Sequence, residues 1–122
     1  MRLTKQVGKE MLFEAAVFAT GCAEMALFYG NNLLLTALVI ATIAAELAFW
    51  RDRRTVAFLI TGGIVGPSAE ALCVWAGGWR YANPTLLDIP LWLPFGWGCV
   101  TVLIMGIVDT AGKMRRPPHS TD

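Results

Sequence analysis

Apolar residues gather in four long stretches, at about 11–29, 33–50, 55–77 and 90–111. Each is roughly 18–23 residues long, and an α-helix needs about 20 to cross the hydrocarbon of a bilayer. The polar residues fall between them. "GNN" at Gly30–Asn32 is a tight turn, "RDRR" at Arg51–Arg54 a charged turn, and "GWRYANPTLLD" at Gly78–Asp88 the one real loop. The pattern predicts an all-α integral membrane bundle of four transmembrane helices. It forms a single domain over 1–112, followed by a polar, Pro-rich and disordered cytoplasmic tail at 113–122. The sequence shows no internal repeat and no second domain.

Composition agrees. The chain is 56% hydrophobic and only 16% charged, against a usual charged fraction of about 25% in soluble domains. A chain of 122 residues has too high a ratio of surface to volume to bury that much apolar side chain by itself. Lipid is therefore the expected partner. The net charge of +1 leaves no basic face once the spans are set aside, so nucleic acid is not expected.

Charge also sets an orientation. Arg2, Lys5 and Lys9 precede the first span, Arg51, Arg53 and Arg54 separate the second from the third, and Lys113, Arg115 and Arg116 follow the fourth. Four spans put all three clusters on one side, leaving only Arg80 opposite. The positive-inside bias then places both termini in the cytoplasm, with a bacterial inner membrane as the expected compartment. Tyr29, Trp50, Trp75, Trp79, Tyr81, Trp92 and Trp97 fall near span ends, where amphipathic rings favour the interface. Glu14 would interrupt the apolar core of a cleaved signal peptide, which argues for a retained first span.

Carboxylates occur at two depths. Glu14, Glu46 and Asp109 lie within about four residues of the cytoplasmic helix ends, where snorkelling or pairing with basic neighbours is expected. Asp109 and Lys113 are spaced i,i+4, a favourable pairing distance on one helix. Glu24 lies five residues inside Tyr29, and Glu70 lies seven inside Gly77. Both belong to the outer half, where Arg80 is the one available cation. Two readings stand. Glu24, Glu70 and Arg80 form a polar knot joining the first and third helices, or they bind a proton or cation or supply a catalytic acid.

The third span carries "TGGIVGPSAE", with Gly62, Gly63, Gly66 and Pro67 close together. Pro67 lacks an N–H and crowds the carbonyl of Gly63, so a kink is expected there. A broken helix at this depth can line a cavity, and the glycines can let another helix approach closely. Cys22, Cys73 and Cys99 sit on three different spans, and the single histidine, His119, lies in the tail. No CxxC pair and no intramembrane histidine supports a metal site or haem. Nucleotide-binding and nucleophile-elbow patterns are absent, and no cofactor is expected.

The most distinctive block is "EALCVWAGGWRYANPTLLDIPLWLPFGWG", Glu70–Gly98. Asp88 is placed to cap the fourth helix, and Pro90 and Pro94 suit its entrance. The block resembles that of small uncharacterised bacterial four-helix membrane proteins. It is also distantly similar to membrane-embedded carotenoid-modifying cyclases and hydratases, in which acids near helix ends protonate a polyene. That resemblance implies Glu70 as the acid and Glu24 as its support. The Pro-Glu-Glu pattern of the cyclases is absent, since Leu91 and Trp92 follow Pro90.

Three function classes follow. The first is an oligomeric proton- or cation-linked transporter or channel using Glu24 and Glu70. The second is a noncatalytic accessory subunit of a larger membrane complex. The third is an enzyme on an isoprenoid or lipid with Glu70 as general acid. Four short helices enclose little volume, so a homo-oligomer suits the first. The outer carboxylates and the interrupted third helix favour it.

Overall fold

A computed structural model of the chain describes residues 4–115. Four helices account for most of them: α1 (Lys5–Phe28), α2 (Asn32–Phe49), α3 (Arg53–Trp75) and α4 (Trp92–Arg115). All four are long and apolar enough to cross a membrane, and no strand is present among the described residues. The tail's His119 and Arg116 lie outside the described residues, as does Arg2.

Polar caps fix where three helices begin. The side chains of Thr4, Asn31 and Asp52 accept from the backbone N–H groups of Val7, Leu34 and Thr55 respectively. Each satisfies a donor that the first helical turn leaves open. Asp52 also accepts from the Thr55 hydroxyl at 2.9 Å, and these two bonds hold its carboxyl below the usual range. α3 ends in a Schellman motif. Gly77 turns left-handed (φ +90°) and donates to the Val74 carbonyl, while Gly78 donates to Cys73. A residue with a Cβ is disfavoured at Gly77.

Connections and contacts make the helices alternate in direction. Arg54 at the start of α3 pairs with Asp109 near the end of α4, and Lys113 of α4 pairs with Glu10 near the start of α1. Phe13 of α1 stacks on Phe49 and meets Trp50 edge-on at the end of α2. These pairs share one end of the bundle with the basic residues. At the opposite end Asn32 donates to the Asn83 carbonyl at 2.6 Å and the Thr85 hydroxyl at 3.2 Å, tying the long loop to the start of α2.

α4 is the hub. It packs against α1, α2 and α3, while α3 makes no comparable contact with α1 or α2. The core gathers Val17, Leu35, Val39, Ile43, Trp92 and Leu103 around α4. Glycines bring α3 close on the other side: a Cβ at Gly62 would strike Thr101, and one at Gly66 would strike the Trp97 ring. The expectation of close approach at the glycines is met here, as small-residue packing without a strong hydrophobic force requires.

Three sequence expectations need adjustment. α4 continues to Arg115, so residues 113–115 are helical. Asp88 does not cap α4. With Leu87 it occupies a left-handed turn (φ 60° and 52°), and the Thr85 hydroxyl instead accepts from Leu91 N–H at 3.1 Å. Trp92 is buried in the core, unlike the exposed Trp75 and Trp79.

Candidate functional site

Four glutamates are buried inside the bundle. The buried positions of α1 are Val7, Glu10, Glu14, Val17 and Glu24. Their spacing alternates threes and fours, with one skipped turn, which keeps them on one helix face. Glu10 and Glu24 are about 21 Å apart along the axis at the usual rise per residue. Glu46 joins them from the buried face of α2, one turn from Thr42.

Hydrogen bonding along this row is uneven. At the basic end Lys113 Nζ donates to Glu10, and Gln6 Nε2 approaches the same oxygen at 3.4 Å. The Thr110 hydroxyl lies 2.6 Å from Glu14, 3.0 Å from the Gly106 carbonyl and 3.4 Å from Glu10. A hydroxyl has a single hydrogen to donate, and Glu14 is its nearest acceptor. Deeper in, the Thr42 hydroxyl stands 2.8 Å from Glu24 and 3.1 Å from the Leu38 carbonyl.

Glu46 is 0% exposed, and neither of its carboxylate oxygens has a hydrogen-bond partner among the described residues. The neighbouring Cys99 thiol of α4 faces it. A thiol is a weak donor, and it does not close a hydrogen bond here. Such a group is costly to bury unless something completes it.

Interface pairing was expected for Glu14, Glu46 and Asp109. Among the described residues only Asp109 of these three forms an ion pair, and its partner is Arg54 rather than Lys113. Glu14 and Glu46 are interior because polar first turns extend α1 and because aromatic rings close that end of the bundle. Sequence reading missed Glu10 altogether. Its signal was present in the shared face of Val7, Glu10, Glu14 and Val17.

The outer carboxylates do not converge. Glu70 lies at the α3–α4 contact, where one oxygen accepts from the Tyr81 hydroxyl and the other from the Trp97 indole N–H. Burial, with the bond to Glu70 and its charge, pushes the Tyr81 phenol up to about 12. Tyr81 therefore remains a donor through neutral pH. Glu24 bonds Thr42 on the other side of α4, and Arg80 is exposed with no side-chain partner among the described residues. The knot joining the first and third helices is not formed, since α4 stands between them.

α3 continues as a helix through the buried Pro67. A cleft of about 300 Å³ opens beside it, under the long loop, lined by Gly63, Pro67, Ala71, Leu86, Pro90 and Pro94 among others. Its lining is mostly apolar, and Glu70 is not part of it. Cys22 and Cys73 are exposed and Cys99 is buried. Among the described residues no three His, Cys, Asp or Glu side chains converge as metal ligands.

No known protein family, curated protein or solved structure matches this chain.

Proposed function

We propose that the chain is an integral membrane protein whose buried glutamates carry proton- or cation-linked transport. Both termini and the α2–α3 turn face the cytoplasm in this reading, following the gathering of Lys and Arg at one end. A bacterial inner membrane suits that orientation, and association with further copies would supply volume that four helices lack. The observation that carries the reading is Glu46: fully buried on α2, beside an α1 face that bears three other buried glutamates, and unanswered at both oxygens among the described residues. An ionisable residue facing the interior of a membrane bundle is by default a functional-site hypothesis.

Of the two outer carboxylates expected to carry transport, Glu24 keeps that role here and Glu46 takes the place of Glu70. Glu70 has both oxygens engaged by ring donors, as suits a clamp between α3, the loop and α4. An enzyme acting on an isoprenoid or lipid is the second reading, favoured by the apolar cleft at Pro67. It ranks behind because the candidate acid does not line that cleft.

Reconstitution into liposomes tests the proposal. An imposed gradient of protons, Na⁺ or K⁺ should drive flux through the native protein and not through Glu46→Gln. Flux equal to that of empty liposomes for every cation would remove the transport reading.

A further inference from the structure

The interior row has far more acceptors than donors. Its four carboxylates present eight oxygens. Among the described residues the donors reaching them are Lys113, Gln6 and the single hydroxyl hydrogens of Thr110 and Thr42. Each threonine hydrogen is also contested by a backbone carbonyl, Gly106 for Thr110 and Leu38 for Thr42. Glu46 receives none.

Two kinds of guest could balance this deficit. A dehydrated metal ion needs about six or more oxygens converging at roughly 2.0–2.6 Å. The described residues offer no such group, and the clefts at Pro67 and beside Trp50–Arg53 are lined by none of the interior glutamates. A proton needs one oxygen and no cavity. It turns a carboxylate from a pure acceptor into a donor, which is the missing component.

We infer that the ligand of the row is the proton, and that Glu46 is its binding residue between α1, α2 and α4. This rests on the transport reading for its purpose, but not for its chemistry. Cys99 of α4 faces Glu46 and also lies near Glu24 of α1, and Thr42, which bonds Glu24, is one turn away on Glu46's own helix. α3 contributes none. Glu24 and Thr42 lie toward the interior, and Glu14, Thr110 and Glu10 lie toward Lys113. The row therefore has carboxylate oxygens toward both ends of the bundle from Glu46.

Infrared difference spectroscopy in nanodiscs tests this directly. Spectra of the native protein and Glu46→Gln are compared across pH, in Na⁺, K⁺ and choline buffers, in H₂O and D₂O. A protonated-carboxyl band that is lost in Glu46→Gln and identical in all three cations is expected. Cys99→Ser, which puts a stronger donor beside the acid, should shift that same band and so confirms the assignment if Glu46→Gln fails to fold. Absence of the band at every pH, or its removal by Na⁺ or K⁺, overturns the inference. Its failure is separable from that of transport: cation flux without the band leaves a cation transporter, whereas the band without flux leaves a proton-binding residue with another use.

Discussion

Thr110 of α4 holds its hydroxyl 2.6 Å from the Glu14 carboxylate of α1. It is the single donor reaching Glu14 among the described residues, and it also couples the two helices at the basic end. Thr110→Val keeps the shape and removes the hydrogen. Stability in mixed micelles should fall by about 1–3 kcal/mol, the usual cost of stranding a buried polar group. Thr110→Ser should fall by less. Equal losses would mean that the methyl group matters and the hydrogen bond does not.

Close approach of α3 and α4 depends on Gly66, where a Cβ would meet the Trp97 ring. Gly66→Ala should therefore cost about 1–3 kcal/mol, as overpacking usually does. Gly8 has open space around it, and Gly8→Ala should be neutral or gain roughly 0.5–1 kcal/mol from helix propensity. Unfolding curves of the two variants give the comparison. A harmless Gly66→Ala would mean that the helices are not in contact there.

The Glu70–Tyr81 bond has a consequence at alkaline pH. Tyr81 titrates near 12 in the folded protein against 10.0 when free. Raising the folded value favours the neutral phenol, so its contribution to stability is complete below pH 10 and is lost as pH rises towards 12. Tyr29→Phe leaves Tyr81 as the sole tyrosine, and tyrosinate absorbance then reads it alone. Adding Glu70→Gln should move the titration back towards 10 without reaching it, because burial remains. An unchanged curve would show that Glu70 does not hold the phenol.

Asp52 acts at the other extreme. Its two bonds from Thr55 depress its carboxyl below 3.8. Its contribution is therefore present above about pH 4, the free value of an aspartate, and is lost as pH falls through the depressed folded value. Asp52→Asn keeps a capping oxygen and removes the titration. Its acid unfolding should show a shallower loss over that range than the native protein's. Superimposable curves would contradict the capping role.

Much of the fold was legible because hydropathy reports span number directly. The span ends were less so. The apolar run begins at Met11, but Thr4 caps a helix whose first turn and a half is polar, and Asp52 starts α3 before its apolar residues begin. Depth was the main loss. Glu46 lies three residues from Phe49, the end of its own helix, which suggested an interfacial acid. Its real surroundings come from Cys99 on α4 and from Phe13, Phe49 and Trp50 closing that end. Such cross-helix contacts leave no mark on a single helix. The face shared by Glu10, Glu14 and Glu24 was, by contrast, readable from spacing alone. The surroundings of Glu70 were not, because its two ring donors stand 11 and 27 residues away in sequence.

The most direct test of the central claim compares proton flux through the native protein, Glu46→Gln and Glu70→Gln in oriented liposomes. If the interior row is the pathway, Glu46→Gln abolishes flux and Glu70→Gln retains it wherever the variant still folds. Flux that survives in Glu46→Gln and disappears in a folded Glu70→Gln would contradict the account and return the function to the outer clamp.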